Sequence, residues 1–434
     1  MKVRRSMAIG RAVKAASRKQ GGSRLYGLLL FLLVWSSAAP AKQVLAKPGE
    51  NWCARLNGLS PGDTLWLSPG LYERPCHIHV SGAVAQPITL ASKDPDRRAV
   101  LAYRGGSANV LDITDAHHLV IRDLDFVRTR RNVDAIRIRS GSDIRVENNR
   151  FTAIAGISVA AGNGNTARIT IRGNRFRRLA ATAIYIGCHS GECRGEDIRV
   201  EDNLIDGVMP APGNVGYGVQ YKLNSWGVIR NNRVFDTKGP GIMVYGSRDD
   251  GPDTKVTANL VEGSRTDGGI VIGGGPALVT NNIVLHNHIG GIVAQDYQER
   301  DLQARVRIVN NTVIDNYQVG IHLQHWRAGR GNVLVNNAIV AFPDTPAIDP
   351  PVPEGRVQGN HICVRPERCF RQPWHPPYDL RPLAVLREPH PENTLDEPRD
   401  DYFGIPRGAT TAVGAIDGDN CGIKGCLIGQ ERYR

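Results

Sequence analysis

The chain holds 434 residues, 41% of them hydrophobic and 22% charged, with a formal net charge of +12. The excess is uneven: eight Lys/Arg and no acid occupy the first 24 residues, and setting aside residues 1–41 leaves 46 basic against 42 acidic side chains, near +4. So small a balance permits an anionic ligand without demanding one, and the lack of a basic run beyond the leader argues against nucleic acid.

Residues 1–41 read as a secretory signal peptide: a basic leader, the apolar stretch Leu25–Val34, and Ala39-Pro-Ala41 as a small-residue cleavage site. The apolar run falls short of the roughly 20 residues a spanning helix needs, so no membrane span is expected after cleavage. Export puts the chain in the periplasm or outside the cell. There an even cysteine count favours disulfides, drawn within local pairs: Cys53 with Cys76, Cys188 with Cys193, Cys363 with Cys369 and Cys421 with Cys426. Zinc is disfavoured because no paired C-x2-C spacing occurs.

Residues 42–105 read as an amino-terminal cap and first coils, with short strands at Pro61-Gly-Asp-Thr-Leu-Trp-Leu67, Gly70-Leu-Tyr72 and Pro87-Ile-Thr-Leu-Ala91 split by turns. Residues 106–342 carry a repeat. An asparagine returns at 149, 174, 203, 232, 259, 282, 311 and 337, each after a short alternating apolar stretch such as Ile169-Thr-Ile-Arg-Gly-Asn174. Periods of this length mark solenoids. Asparagine tolerates a left-handed backbone and bonds nearby main chain, so it is expected at a tight bend, its amides stacked as a structural ladder. From residue 343 to 434 prolines cluster and the period is lost; this irregular region is expected to wrap the last coil, whose open end needs cover. Outside the leader no helix has a convincing amphipathic pattern.

Between the asparagines lies a second strand series, including Ile136-Arg-Ile-Arg139, Ile157-Ser-Val-Ala160, Ile184-Tyr-Ile-Gly187, Val219-Gln-Tyr-Lys222, Ile242-Met-Val-Tyr245, Ile270-Val-Ile-Gly273, Ile292-Val-Ala-Gln295 and Ile321-His-Leu-Gln324. Side chains alternate along a strand, so first and third residues point to the core, second and fourth outward. An all-β, single-stranded right-handed parallel β-helix is therefore expected.

The coils, the Pro61-Gly-Asp63 opening and the segment Lys222-Leu-Asn-Ser-Trp-Gly-Val-Ile-Arg-Asn-Asn232 resemble the pectate-lyase-like right-handed β-helix family, and most closely the alginate lyase and chondroitinase B type of polysaccharide lyases. The resemblance implies that a lysine ending a strand before such a bend acts in β-elimination, which points to Lys222. Those enzymes tend to carry an arginine on the next coil, where this chain offers Met243 and Tyr245.

Outward positions map a surface. Lys222 and Tyr245 fall on adjacent coils, about 5 Å apart, with Gly187 and Gly273 leaving open floor on either side and Tyr185 as a stacking platform. An acidic polysaccharide suits this face. Removing the C5 proton of a uronate requires its carboxylate to be neutralised, a base to take the proton and, for elimination, an acid for the leaving oxygen. Lys222 and Tyr245 are the candidate catalytic pair. Arg137, Arg139, Tyr185, Gln220, Arg248, Gln295, His322 and Gln324 are candidate substrate contacts. His322 and His325 lie four coils from Lys222, roughly 19 Å, too far to share one centre. Calcium remains an alternative neutraliser on the loop acids Asp249, Asp250 and Asp296, although no oxygen-rich ligand loop is recognisable and no metal residue is assigned. The run Gly273–Gly275 is not a phosphate loop, since no helix follows it. A polysaccharide lyase is the leading expectation. A uronate C5-epimerase and a non-catalytic carbohydrate-binding protein are the alternatives, and hydrolysis ranks lower because only Asp112 supplies an outward strand carboxyl.

Overall fold

A computed structural model describes residues 40–247, 251–327, 329–341, 344–351, 353–387, 398–408, 412–421 and 425–430. The expected leader lies almost wholly outside the described residues, as do Arg248, Asp249 and Asp250. The chain coils as a right-handed parallel β-helix with three parallel sheets of 14, 12 and 11 strands, visited in that order by each turn. We call these the first, second and third sheets. Strands of the first begin at Gln43–Ala46, and those of the second continue past residue 343 to His361–Cys363.

The repeating asparagines form one continuous buried ladder. Asn174 is typical: its Nδ2 donates to the Val146 carbonyl (2.8 Å) and to Asn203 Oδ1 (3.0 Å), which also accepts from the Asn174 backbone N–H (3.0 Å). The pattern runs from Asn149 to Asn337 and ends on Asn360, one coil beyond the expected series. Each amide so satisfies main-chain groups that would otherwise be buried without a partner. The bend itself belongs to the preceding residue. Asn148, Gly173, Asp202, Asn231, Ala258, Asn281, Asn310 and Asn336 hold the left-handed conformation, while the ladder asparagines do not. The expectation that the ladder residue makes the turn is therefore corrected. Beside the ladder, Phe126, Phe151 and Phe176 stack one per coil, with ring centroids 4.9 and 4.7 Å apart.

Two further differences follow from length and parity. A six-residue helix, Trp52–Asn57, caps the amino-terminal end, with Trp52 and Leu56 buried and Asn51 accepting from the Ala54 N–H. It is too short to show helical periodicity in sequence. In the third sheet, Arg137 pairs with Ala160, not Ser158, because the strand is Val159–Ala161. A slip of two preserves inward and outward faces, so the pattern alone could not fix it.

The described part of the carboxy-terminal region lies along the outward face of the second sheet, where Phe370, Tyr378, Leu380 and Ile416 share a core with Phe235, Leu260, Ile283, Leu285 and Ile314. Second-sheet strands turn apolar on both faces where they are covered, as in Ile283-Val-Leu285, whereas the uncovered Arg150-Phe-Thr152 and Arg175-Phe-Arg177 alternate.

All four expected cysteine pairs are disulfides. Cys53 is bonded to Cys76, joining the amino-terminal helix to the first strand of the third sheet. Cys188 is bonded to Cys193 and closes the loop that follows the Tyr185 strand. Cys363 is bonded to Cys369 and ties the last second-sheet strand to the carboxy-terminal region, within which Cys421 is bonded to Cys426. Among the described residues, no helix is long and apolar enough to cross a membrane.

Candidate active site

Lys222 immediately follows the third-sheet strand Val219–Tyr221, whose alternation sends Tyr221 into the core and Lys222 outward. On the outward side the lysine is nonetheless buried, with 4% exposure. Its Nζ stands over the Tyr245 ring, 3.9 Å from the centroid, and 6.0 Å from the Tyr185 centroid. Register places Gln220 between Tyr185 and Met243 on successive coils. The predicted adjacency of Lys222 and Tyr245 is thus present. The covered setting is not what the strand pattern implies, because the cover comes from loops.

Those loops precede and follow the third sheet. Tyr217, Tyr297 and Leu302 pack against the cluster of Leu223, Met243, Tyr245, Val271 and Val293. Tyr297 meets Tyr245 edge-on, with centroids 4.7 Å apart. The expected open floor is absent on both sides. Gly187 is buried, and a Cβ there would approach Ser225 Oγ to 2.2 Å and Lys222 Cβ to 3.2 Å. Gly273 is buried too, and a Cβ there would approach Tyr297 Cβ to 3.2 Å.

The electrostatics separate the two candidate groups. Burial, reinforced by the charge of Arg300, lowers the Lys222 ammonium from 10.5 to about 8. Burial pushes the Tyr245 phenol far above its ordinary range, and its hydrogen bond to Tyr217 adds to this; Gln220 Nε2 donates to its oxygen at 3.3 Å. Tyr185 is raised by burial to about 12. A neutral amine is therefore accessible near pH 8 beside phenols that stay protonated, so the amine can take a proton and the phenol can give one. Burial also raises the Asp267 carboxyl, which lies within electrostatic reach of Tyr217. Tyr217, Asp267, Tyr297 and Arg300 were not singled out from sequence. All sit in connections rather than strands, so strand alternation carries no signal for them.

The other expected contacts are dispersed. Arg139 grips Asp112 through two hydrogen bonds of 2.6 and 2.8 Å, and Arg137 bonds Asp134 (2.6 Å) and Asn163 (2.8 Å). Both guanidiniums already hold carboxylate partners, so neither presents a bare charge. Gln295 follows the strand that carries Val293 and its carbonyl accepts from Gln303 Nε2 (2.7 Å), while Gln324 follows the next strand. His322 Nδ1 lies 2.8 Å from Asp349 Oδ2 on the next coil, and His325 Nδ1 lies 3.6 Å from Asp296. The orienting carboxylate for His322 thus comes from Asp349. Of the loop acids weighed for calcium, only Asp296 is described, and its carboxylate accepts from the Asp301 and Leu302 amides. Among the described residues, the one compact group of three metal-type donors is His361, Cys363 and Cys369, whose cysteines are joined as a disulfide.

Residues 193–343 match the family described as right handed beta helix region. No curated protein is significantly similar to the chain. Among solved structures, a lacto-N-biosidase from Eubacterium ramulus is similar at 13% identity and a TM-score of 0.55, over 74% of this chain and 67% of that one. A complex of XylC with xylose is similar at 10% identity and 0.52, over 85% and 96%. An alginate lyase from Paenibacillus sp. str. FPU-7 aligns at 16% identity and 0.49, over 74% and 99%. Likeness at such identities concerns the fold.

Proposed function

For a right-handed parallel β-helix protein with this buried lysine, we propose export from the cytoplasm and β-elimination of a uronate-containing polysaccharide. The observation that carries the proposal is Lys222, 4% exposed and lowered to about 8 beside a phenol held protonated. A buried lysine with a depressed pKa is suited to proton transfer at neutral pH, and an isolated buried amine costs free energy that function can justify. Four disulfides fit an oxidising compartment.

In this reading Arg300 neutralises the uronate carboxylate. Neutral Lys222 takes the C5 proton, the C5–H electrons form the C4=C5 double bond, and the C4–O bond breaks. Tyr245 protonates the departing oxygen. Tyr185 stacks on a sugar, Gln220 holds the Tyr245 hydroxyl, and Arg137 and Arg139 contact the chain further along the face. Gln295, at the start of the covering connection, and His322 and Gln324, beyond it, take no part in this step. A C5-epimerase would use the same lysine but return a proton in place of expelling the oxygen. Incubating the protein with a panel of acidic polysaccharides in deuterated water tests both. Unsaturated ends support the lyase, label at C5 of intact polymer favours the epimerase, and neither product on any polymer refutes the proposal.

A further inference from the structure

We infer that the third-sheet face is walled off beside Lys222 by the connection 295–305, so that the site receives the terminal sugars of a polysaccharide and not an internal segment. This rests on the polysaccharide reading above and deepens it. Outward second positions run, coil by coil, through Arg137, Ala160, Tyr185, Gln220, Met243, Val271 and Val293 to His322. Exposure along that column is not uniform. Arg137 and Tyr185 are partly exposed on either side of the small, buried Ala160, then Gln220, Met243, Val271 and Val293 are buried at 4%, 2%, 0% and 3%, and His322 emerges again. Four consecutive coils, about 15 Å of face by strand spacing, are therefore closed, that of Lys222 among them.

The cover is built, not draped. Leu302 lies where a Cβ on Gly274 would come within 2.4 Å of its own Cβ, and the Ala304 carbonyl lies where a Cβ on Gly275 would come within 1.8 Å. The triple glycine Gly273–Gly275 thus has a role: it is the seat that lets the connection lie flat on the sheet. Gly275 N–H donates to the Leu302 carbonyl (2.8 Å), Gln303 Nε2 to the carbonyls of Ile272 (3.0 Å) and Gln295 (2.7 Å), and Asp296 accepts from two amides of the same loop. Gln298, Glu299 and Asp301 hold left-handed backbone, at φ of 60°, 53° and 55°, without being glycine. At the foot of the wall stand Lys222 and the Tyr245–Tyr297 edge contact. On the amino-terminal side Tyr185 and Arg137 are partly open, so a chain enters from those coils and stops.

Binding tests this without turnover. Lys222→Ala protein is passed over beads bearing oligo-alginate or oligogalacturonate coupled through either single end, or through both ends. Retention on one single-end bead and its loss on the both-ends bead is expected. Equal retention on all three overturns the wall. No retention on any bead overturns the polysaccharide reading and the wall with it. With active protein on whichever uronan yields double bonds, viscosity is expected to fall slowly relative to double-bond formation, and Tyr297→Ala/Leu302→Ala to speed that fall. Rapid loss of viscosity by the unaltered protein contradicts the inference.

Discussion

Lys222 couples function to stability through its proton. Its folded value is about 8 against an ordinary 10.5, so between these the unfolded chain binds the extra proton. Below about pH 8 the amine is charged in both states and the burial penalty is full; it shrinks as pH rises and is gone above 10.5. Lys222→Met keeps the stem and removes the charge. Urea unfolding at pH 7 is expected to show the variant more stable by ~1–3 kcal/mol, an advantage that fades toward pH 10.5. A variant less stable than the parent at pH 7 would contradict the burial account. The lysine was legible in the sequence because it ends a strand at an outward position. Its depressed pKa was not, because Tyr217, Tyr297, Leu302 and Arg300 come from connections that no strand pattern places.

The asparagine ladder sets the behaviour of each coil. Asn232 Oδ1 accepts from both the backbone N–H and the Nδ2 of Asn203, and its own Nδ2 donates to Val200 and Asn259. Asn232→Ala strands those groups in a dry interior and is expected to cost ~1–3 kcal/mol by thermal or urea melting, more than Lys222→Ala at the same pH. The reverse order would undo the assignment of inward and outward faces. Phe151→Ala, removing the middle ring of the stack, is expected to cost ~3–5 kcal/mol. Strands and period were readable here, since a two-residue alternation and a recurring amide survive in any one coil. The bend residue was misjudged because two asparagines often stand side by side, as at Asn148-Asn149 and Asn231-Asn232, and composition does not say which bends.

At the scale of the whole molecule, parallel strands apolar on both faces foretell cover. Ile283-Val-Leu285 signals the carboxy-terminal region, and Ile270-Val-Ile272 the 295–305 connection. That signal was present in the sequence, but it names a covered strand without naming what covers it. Truncation after residue 364 would bare Phe235, Leu260 and Ile283, and light scattering is expected to report aggregation; a monodisperse truncated protein would show that this cover is dispensable. The central claim is that Lys222 is the base of an elimination reaction. Its most direct test is the pH profile of unsaturated-uronate absorbance on the uronan the protein degrades. The rate is expected to climb to a plateau with a midpoint near the Lys222 value of about 8 and to vanish in a folded Lys222→Ala variant. An undiminished rate in that variant, with the same profile, would contradict it.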